Sequence, residues 1–303
     1  MPRQPRSRFS PVLAATAVAL ALVPPGAARA AFPGQNGRIA FESGRTDELD
    51  IYTAKPDGTD LRRLTGGIKW DRRPRFSPNG KRIVYFRTSF EEGHGDIWVM
   101  DADGSHKVNL TPGAGDDREP VWSPGGARIA FVHAGDIWIM DADGSHRQRI
   151  TYAPAPDFAP SWSSTNVIAF TSFRTGNGDV YTVRPDRSHL HRVTTGPKPD
   201  MYPDWSPSGS RVVFFTDPGP STTNREVWKI RPDGTGLIRL TNNHVDDSYP
   251  SWSPNGKRIT LQRDVPQGDL DFYDVWTMRT DGTDRRRVTH DAFTDGVPNW
   301  QPA

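Results

Sequence analysis

The chain has no cysteine. Disulfides, thiolate metal sites, a cysteine nucleophile and an acylated lipoprotein cysteine are therefore excluded. It also lacks a Gly-x-Ser-x-Gly elbow, a His-Glu-x-x-His helix and a phosphate-cradling glycine loop, so the common hydrolase, metalloprotease and nucleotide-binding chemistries leave no local signature. Charge of one sign is missing too. Lys and Arg number 38 against 36 Asp and Glu, a balance that offers no footing for a nucleic-acid partner. Its apolar run, Val12 to Val23, falls well short of the ~20 residues that span a bilayer.

That run belongs to a leader. Arg3, Arg6 and Arg8 form a basic start, and Pro24, Pro25 and Gly26 break the apolar stretch. Ala28-Arg29-Ala30 then offers a small-x-small cleavage site. The expectation is a signal peptide over residues 1–30, cut after Ala30, and a mature domain over 31–303. The mature protein would be extracytoplasmic, secreted or periplasmic, with no transmembrane span. There is no twin-arginine pair. Removing 1–30 takes away four Arg and no acid, which turns the net charge from +2 to −2. The basicity is that of the leader.

What is abundant is turn formers and tryptophan: 28 Gly, 28 Pro and 10 Trp. They recur on one ruler. Asp50, Asp96, Asp136, Asp179, Glu226 and Asp274 each open an acid-aliphatic-aromatic triplet such as Asp96-Ile97-Trp98. Phe76, Trp122, Trp162, Trp205, Trp252 and Trp300 each lie 26 residues after one of those acids. Four short strands fit each repeat. Strand a carries Pro-x-Trp-Ser and strand b an apolar run such as Ile129-Ala130-Phe131. Strand c is the acidic triplet, and strand d follows an Asp-Gly turn, as at Arg239-Leu240-Thr241. Four strands per ~45 residues is a propeller blade. Nine of the ten Trp fall on strands a and c, where they supply area for packing blade on blade.

The first repeat lacks an aromatic strand a, and the last ends on one, Val297-Pro298-Asn299-Trp300. Read as a circle, the C-terminal strand completes the N-terminal blade and covers the free edge. The expected fold is all-β: a six-bladed β-propeller of four-stranded antiparallel blades, closed in this way.

Asp247 to Gly256, followed by Lys257-Arg258-Ile259, resembles the TolB-like propeller repeat, whose pattern runs Asp-x-x-Pro-x-Trp-Ser-Pro-Asp-Gly and then a Lys/Arg-Ile strand. The resemblance extends from Gly37 to Pro302. It implies the propeller fold and an envelope setting. TolB itself carries an α/β domain ahead of its propeller. Here only Ala31 to Asn36 separate the leader from the first blade, so that domain and its role are not expected. Similar propellers also cap prolyl-oligopeptidase-like hydrolases, whose catalytic domain has no counterpart here.

Length varies on one face. Nearly all of it lies between the strand-a aromatic and the next strand-c acid, with separations of 20, 14, 17, 21 and 22. The b–c loops are thus the variable ones, the longest being Gln262 to Tyr273. A constant scaffold with one variable face is how a binding face looks. The same face carries an Asp five residues before every strand-a aromatic: Asp71, Asp117, Asp157, Asp200, Asp247 and Asp295. One reading is an acidic ring at the channel rim that holds a cation or basic ligand. The other is that each Asp serves its own blade, accepting backbone N–H bonds or pairing with a strand-d Arg (Arg63, Arg149, Arg192, Arg239, Arg287). Identity in every blade argues for the second.

Two weaker signals read as hairpin turns, and a third falls short of a metal site. Asp101-Ala102-Asp103-Gly104 and Asp141-Ala142-Asp143-Gly144 resemble calcium loops, but Lys55, Arg184, Arg231 and Arg279 replace the first Asp in the other repeats. Ser105-His106, Ser145-His146 and Ser188-His189 occupy one slot after a turn. His189 and His191 could share a strand face, yet no third ligand is identifiable. The expected function is non-catalytic: a monomer without cofactor or metal that binds a partner protein through the face of b–c and d–a loops. The alternatives are a carbohydrate-active or other enzyme with its site at the channel mouth, or a small-ligand or cation-binding propeller. Lyases of the first kind need clustered His, Gln and Arg around a metal, whereas the rim slots here are Asp.

Overall fold

The computed structural model describes residues 34–46, 48–88, 93–113, 115–219, 224–267 and 270–303. The segment 1–30, expected to be a leader, lies outside them. Among the described residues no helix is long and apolar enough to cross a membrane. The fold is a six-bladed β-propeller of six four-stranded sheets. Blade I joins the two ends of the chain: β24 (Asp295–Pro302) is its inner strand, followed outward by β1 (Asn36–Ser43), β2 (Asp50–Ala54) and β3 (Arg62–Arg63). Blades II to VI follow in order over residues 70–109, 117–149, 157–192, 200–239 and 247–287. Ring closure is therefore as the repeat phase predicts.

The blades hold together through interfaces, because strand b buries both faces. In blade IV the strand Ile168–Ser172 is buried at every position. Six apolar clusters result, one at each junction. Val84, Phe86, Ile97 and Leu110 of blade II meet Trp122, Phe131 and Met140 of blade III. Val275 and Val288 of blade VI meet Ile39, Phe41 and Trp300 of blade I. A single blade has no core of its own, so the blades stand or fall as a ring.

Two further regularities come from hydrogen bonding. Thr65, Thr111, Thr151, Thr194, Thr241 and Thr289 each follow strand d, and each hydroxyl accepts a backbone N–H from strand c at 2.8–3.0 Å. The c–d turns are six matching Asx turns: Asp57, Asp103, Asp143, Asp186, Asp233 and Asp281 each accept the N–H two residues on. The calcium-like loops are two of these. Outer strands are only two residues long in all six blades, and five carry an Arg that blunts the edge. One expected loop is instead a sheet. The segment Gln262 to Tyr273 lies within a hairpin of β21 (Arg258–Gln267) and β22 (Leu270–Arg279), paired as far as Gln267 with Leu270.

Candidate functional site

Each inner strand contains a β-bulge, two residues after its Asp and directly before its Pro. Arg73, Glu119, Ala159, Tyr202, Tyr249 and Val297 hold φ between 49° and 56° there, and the ladder to strand b shifts register across each one. Non-glycine residues with positive φ mark places where the surroundings overrule local preference. The following Pro has no N–H to leave unpaired where the ladder is interrupted.

The bulged residues of different blades meet at the ring axis. The Arg73 guanidinium lies 4.4 Å above the Tyr202 ring and 4.6 Å from that of Tyr249. It donates to the Tyr202 hydroxyl at 3.0 Å and stands 3.6 Å from Glu119. Tyr202 donates to Glu119 at 3.2 Å. Burial, with Glu119 beside it, pushes the Tyr202 phenol far above its ordinary range, so it stays a neutral donor. The space left at this level is about 20 Å³. The channel is filled here by an Arg–Tyr–Glu cluster. Apart from the two tyrosines its members differ in residue type, so position within the repeat is the signal that could have pointed to them.

The six Asp of the rim are buried, and each is met within its own sheet. The partner is not the strand-d Arg. Those guanidiniums reach the strand-c acid instead: Arg63 to Asp50, Arg149 to Asp136, Arg192 to Asp179, Arg239 to Glu226 and Arg287 to Asp274, at 2.6–2.9 Å. The strand-a Asp faces one fixed position near the end of the repeat's strand b across the ladder. Arg87 grips Asp71 and Arg263 grips Asp247, each with a contact of 2.6 Å. His133 lies 2.6 Å from Asp117. Where that slot is Ser43 or Ser172, an Arg two residues on folds back: Arg45 to Asp295 at 2.8 Å and Arg174 to Asp157 at 2.9 Å. In blade V the slot is Thr216, whose hydroxyl donates to Asp200 at 2.6 Å. Burial pushes Asp200 up to about 6 and also Asp295, against the pull of Arg45, to about 6.

Among the described residues no three His, Asp or Glu side chains gather as a metal site. The surface Ser-His pairs do not form a relay either. His106 turns the same Nδ1 to Ser105 Oγ (3.1 Å) and to Asp101 (2.8 Å), whereas a general base needs one nitrogen for each. With the carboxylates engaged blade by blade, millimolar Ca²⁺ is expected to leave the melting temperature unchanged. Asp71→Asn should cost about 1.5–3 kcal/mol, as for any hydrogen bond to a charged group. A calcium-dependent rise of several degrees, abolished by Asp200→Asn with Asp247→Asn, would overturn this.

The comparisons with known proteins agree with the geometry. The model described as "TolB beta propeller domain" matches residues 133–303, more than half of the chain. That of the dipeptidyl peptidase IV N-terminal region matches 77–159. No curated protein sequence matches. Among solved structures, TolB from Acinetobacter baumannii superposes with a TM-score of 0.72 at 22% identity, over 88% of this chain and 67% of that one. A putative TolB from Agrobacterium tumefaciens gives 0.68 at 21%, over 86% and 91%. An oligogalacturonate lyase from Vibrio parahaemolyticus gives 0.54 at 16%, over 85% and 74%. The repeat pattern, the six blades and the family match converge: this chain belongs to the TolB β-propeller family.

Proposed function

We propose that the protein is an extracytoplasmic, non-catalytic propeller that binds a partner protein through the face bearing the b–c and d–a loops. One observation carries the reading: the two faces differ in kind. The c–d face is a set of six matching Asx turns. The other bears the loops of varying length and the long β21–β22 hairpin, whereas exposed apolar side chains occur on both: Ile68, Tyr152 and Phe293 in d–a loops, and Leu61, Leu190 and Leu237 in c–d connections. The leader over 1–30, cleavage after Ala30, and a single domain over 31–303 form part of the same proposal, as does the monomeric state. The filled channel at Arg73 speaks for contact across a face rather than a reaction within the axis.

The test separates hairpin from scaffold. Gln262 and Arg263 must stay, because Gln262 accepts the Val297 N–H and Arg263 holds Asp247. Replacing 265–272 with an Asn-Gly turn should leave the melting curve intact and abolish capture of the envelope partner in crosslinking pull-downs. Phe293→Asp should weaken it. Equal loss from a change on the other face, such as Lys55→Glu, would contradict the assignment.

A further inference from the structure

Four blades share a three-part stack, and a fifth places a histidine in its middle position. The strand-a carboxylate meets a cation, and the cation lies against the strand-c aromatic. Arg87 sits 4.7 Å from the Trp98 ring, Arg263 4.8 Å from Trp276, Arg174 4.7 Å from Tyr181 and Arg45 5.3 Å from Tyr52. In blade III His133 packs on Trp138 at 5.1 Å. Blade V keeps the carboxylate, Asp200, and the aromatic, Trp228, but no cation joins the two. The slot that holds Arg87 and Arg263 is Thr216, and the position that supplies Arg45 and Arg174 is Pro218. The stretch from Asp217 to Asn224 contains no basic residue. Arg225 beyond it is taken by Asp217 and Asp246. Arg239 lies 5.7 Å from the Trp228 ring but pairs with Glu226 rather than with Asp200. It is the strand-d Arg, and blades I, IV and VI carry its counterpart in addition to their stack.

Space opens where the cation would lie. A cavity of about 480 Å³ runs between blades IV and V, with Asp200, Thr216, Phe214, Trp228 and Val193 in its wall. A second of about 300 Å³, sharing Thr216 and Trp228, reaches Glu226. Asp200 is 8% exposed and has no basic partner among the described residues, its neighbours being the hydroxyls of Thr216 and Thr194 and the Asp179 carboxylate. Glu226 is buried with its Oε2 unpartnered. Exposed Lys198 lies at the rim of both cavities.

We propose that this cavity binds a ligand carrying a guanidinium or primary ammonium on an alkyl chain, its cation seated between Asp200 and Trp228 as an arginine is seated in the neighbouring blades. A buried carboxylate without a counter-charge favours a cation strongly, and an indole face adds attraction once the group is desolvated. The room beyond the cation accommodates the chain. The site opens beside Thr195, Lys198 and Pro218, on the face proposed for the partner, but binding of a small cation there does not rest on that reading.

The experiment is calorimetric titration of the mature protein, with melting-temperature shift as a second readout. The probes are agmatine, for a free small cation, and acetyl-Gly-Arg-Gly-amide, for an arginine side chain. The same peptide with citrulline in place of arginine is the neutral control. Binding of agmatine alone assigns the site to free cations, and binding of the peptide as well assigns it to a side chain. Asp200→Asn should weaken either probe about ten- to a hundredfold, the worth of a charge-assisted hydrogen bond. Thr216→Arg should restore the stack within the chain. It is expected to raise the melting temperature without ligand and abolish binding, which distinguishes a filled site from a misfolded one. Lys198→Ala removes a competing rim charge and should tighten binding. Absence of binding by both probes at millimolar concentration overturns the proposal, as does an undiminished affinity in Asp200→Asn or equal binding of the citrulline peptide.

Discussion

A chain ending at Gly296 is expected to show no cooperative melt. The seven residues removed, Val297 to Ala303, include most of β24, the inner strand of blade I. Trp300, 2% exposed, packs on Ile39, Phe41 and Tyr52 of its own blade and on Val275 and Val288 of blade VI. Deleting a buried Trp side chain alone costs about 3–5 kcal/mol. The strand also ties blade I to blade II, since the Asn299 side chain accepts the Phe76 N–H at 2.9 Å and the Gln301 amide donates to the Gly80 carbonyl at 2.9 Å. Together these losses rival the whole stability of a domain, about 5–15 kcal/mol. Circular dichroism melts of the mature protein, the truncated chain and Trp300→Ala form the test. Trp300→Ala should melt cooperatively at a lower temperature. An unchanged curve for the truncated chain would show that the clasp is dispensable.

Removing the cation from a stack that has one is expected to be nearly as damaging. Arg87→Leu leaves Asp71, fully buried, with the Thr65 hydroxyl for support. Breaking one side of a buried pair costs about 3–5 kcal/mol, mostly the expense of the charge left behind. The loss should depend on pH. Burial already holds the Asp71 carboxyl above its ordinary value even with Arg87 in place, and without the arginine it rises further. A carboxyl whose folded value is raised takes up a proton more readily folded than unfolded. Its penalty is small below the unfolded value of about 3.9 and grows as pH rises through the folded one. Urea denaturation at pH 4.5 and 7.5 should therefore find a larger deficit at pH 7.5. Adding Asp71→Asn should recover much of it. A deficit equal at both pH values would mean that the lost packing of the arginine stem, not the charge, is responsible.

The repeat made the ring legible from the residues alone. The acid and aromatic at fixed spacing set the blades, and the missing first strand a with the surplus last one set the closure. The Asp partners were harder to find. Arg63, Arg149, Arg192, Arg239 and Arg287 also stand at constant spacing, and nothing in one dimension says which acid they face. Only the cross-strand register shows that Asp71 lies opposite Arg87 and Asp200 opposite Thr216. A signal did exist. Asp71, Asp117, Asp200 and Asp247 each lie 16 residues before their strand-b partner, and a Ser in that slot has an Arg two residues on. The channel cluster offered only position, because Arg73, Glu119 and the two tyrosines, Tyr202 and Tyr249, differ in chemistry. Conversely, Gln262 to Tyr273 reads as a loop because its strands continue beyond the length of the other blades.

The clasp in blade I also decides how the ring responds to force. Asn36 pairs with Pro302, and the Ala303 amide donates to the Gln35 carbonyl, so both ends of the ring leave from one spot on an antiparallel ladder. Tension between the termini peels that ladder one rung at a time, the geometry in which hydrogen bonds fail singly. Tension between one terminus and a partner seated on the loop face instead loads several bonds at once. Held in an envelope by one end and by its partner, the propeller would carry load as a rivet; held by both ends, it would open as a zip.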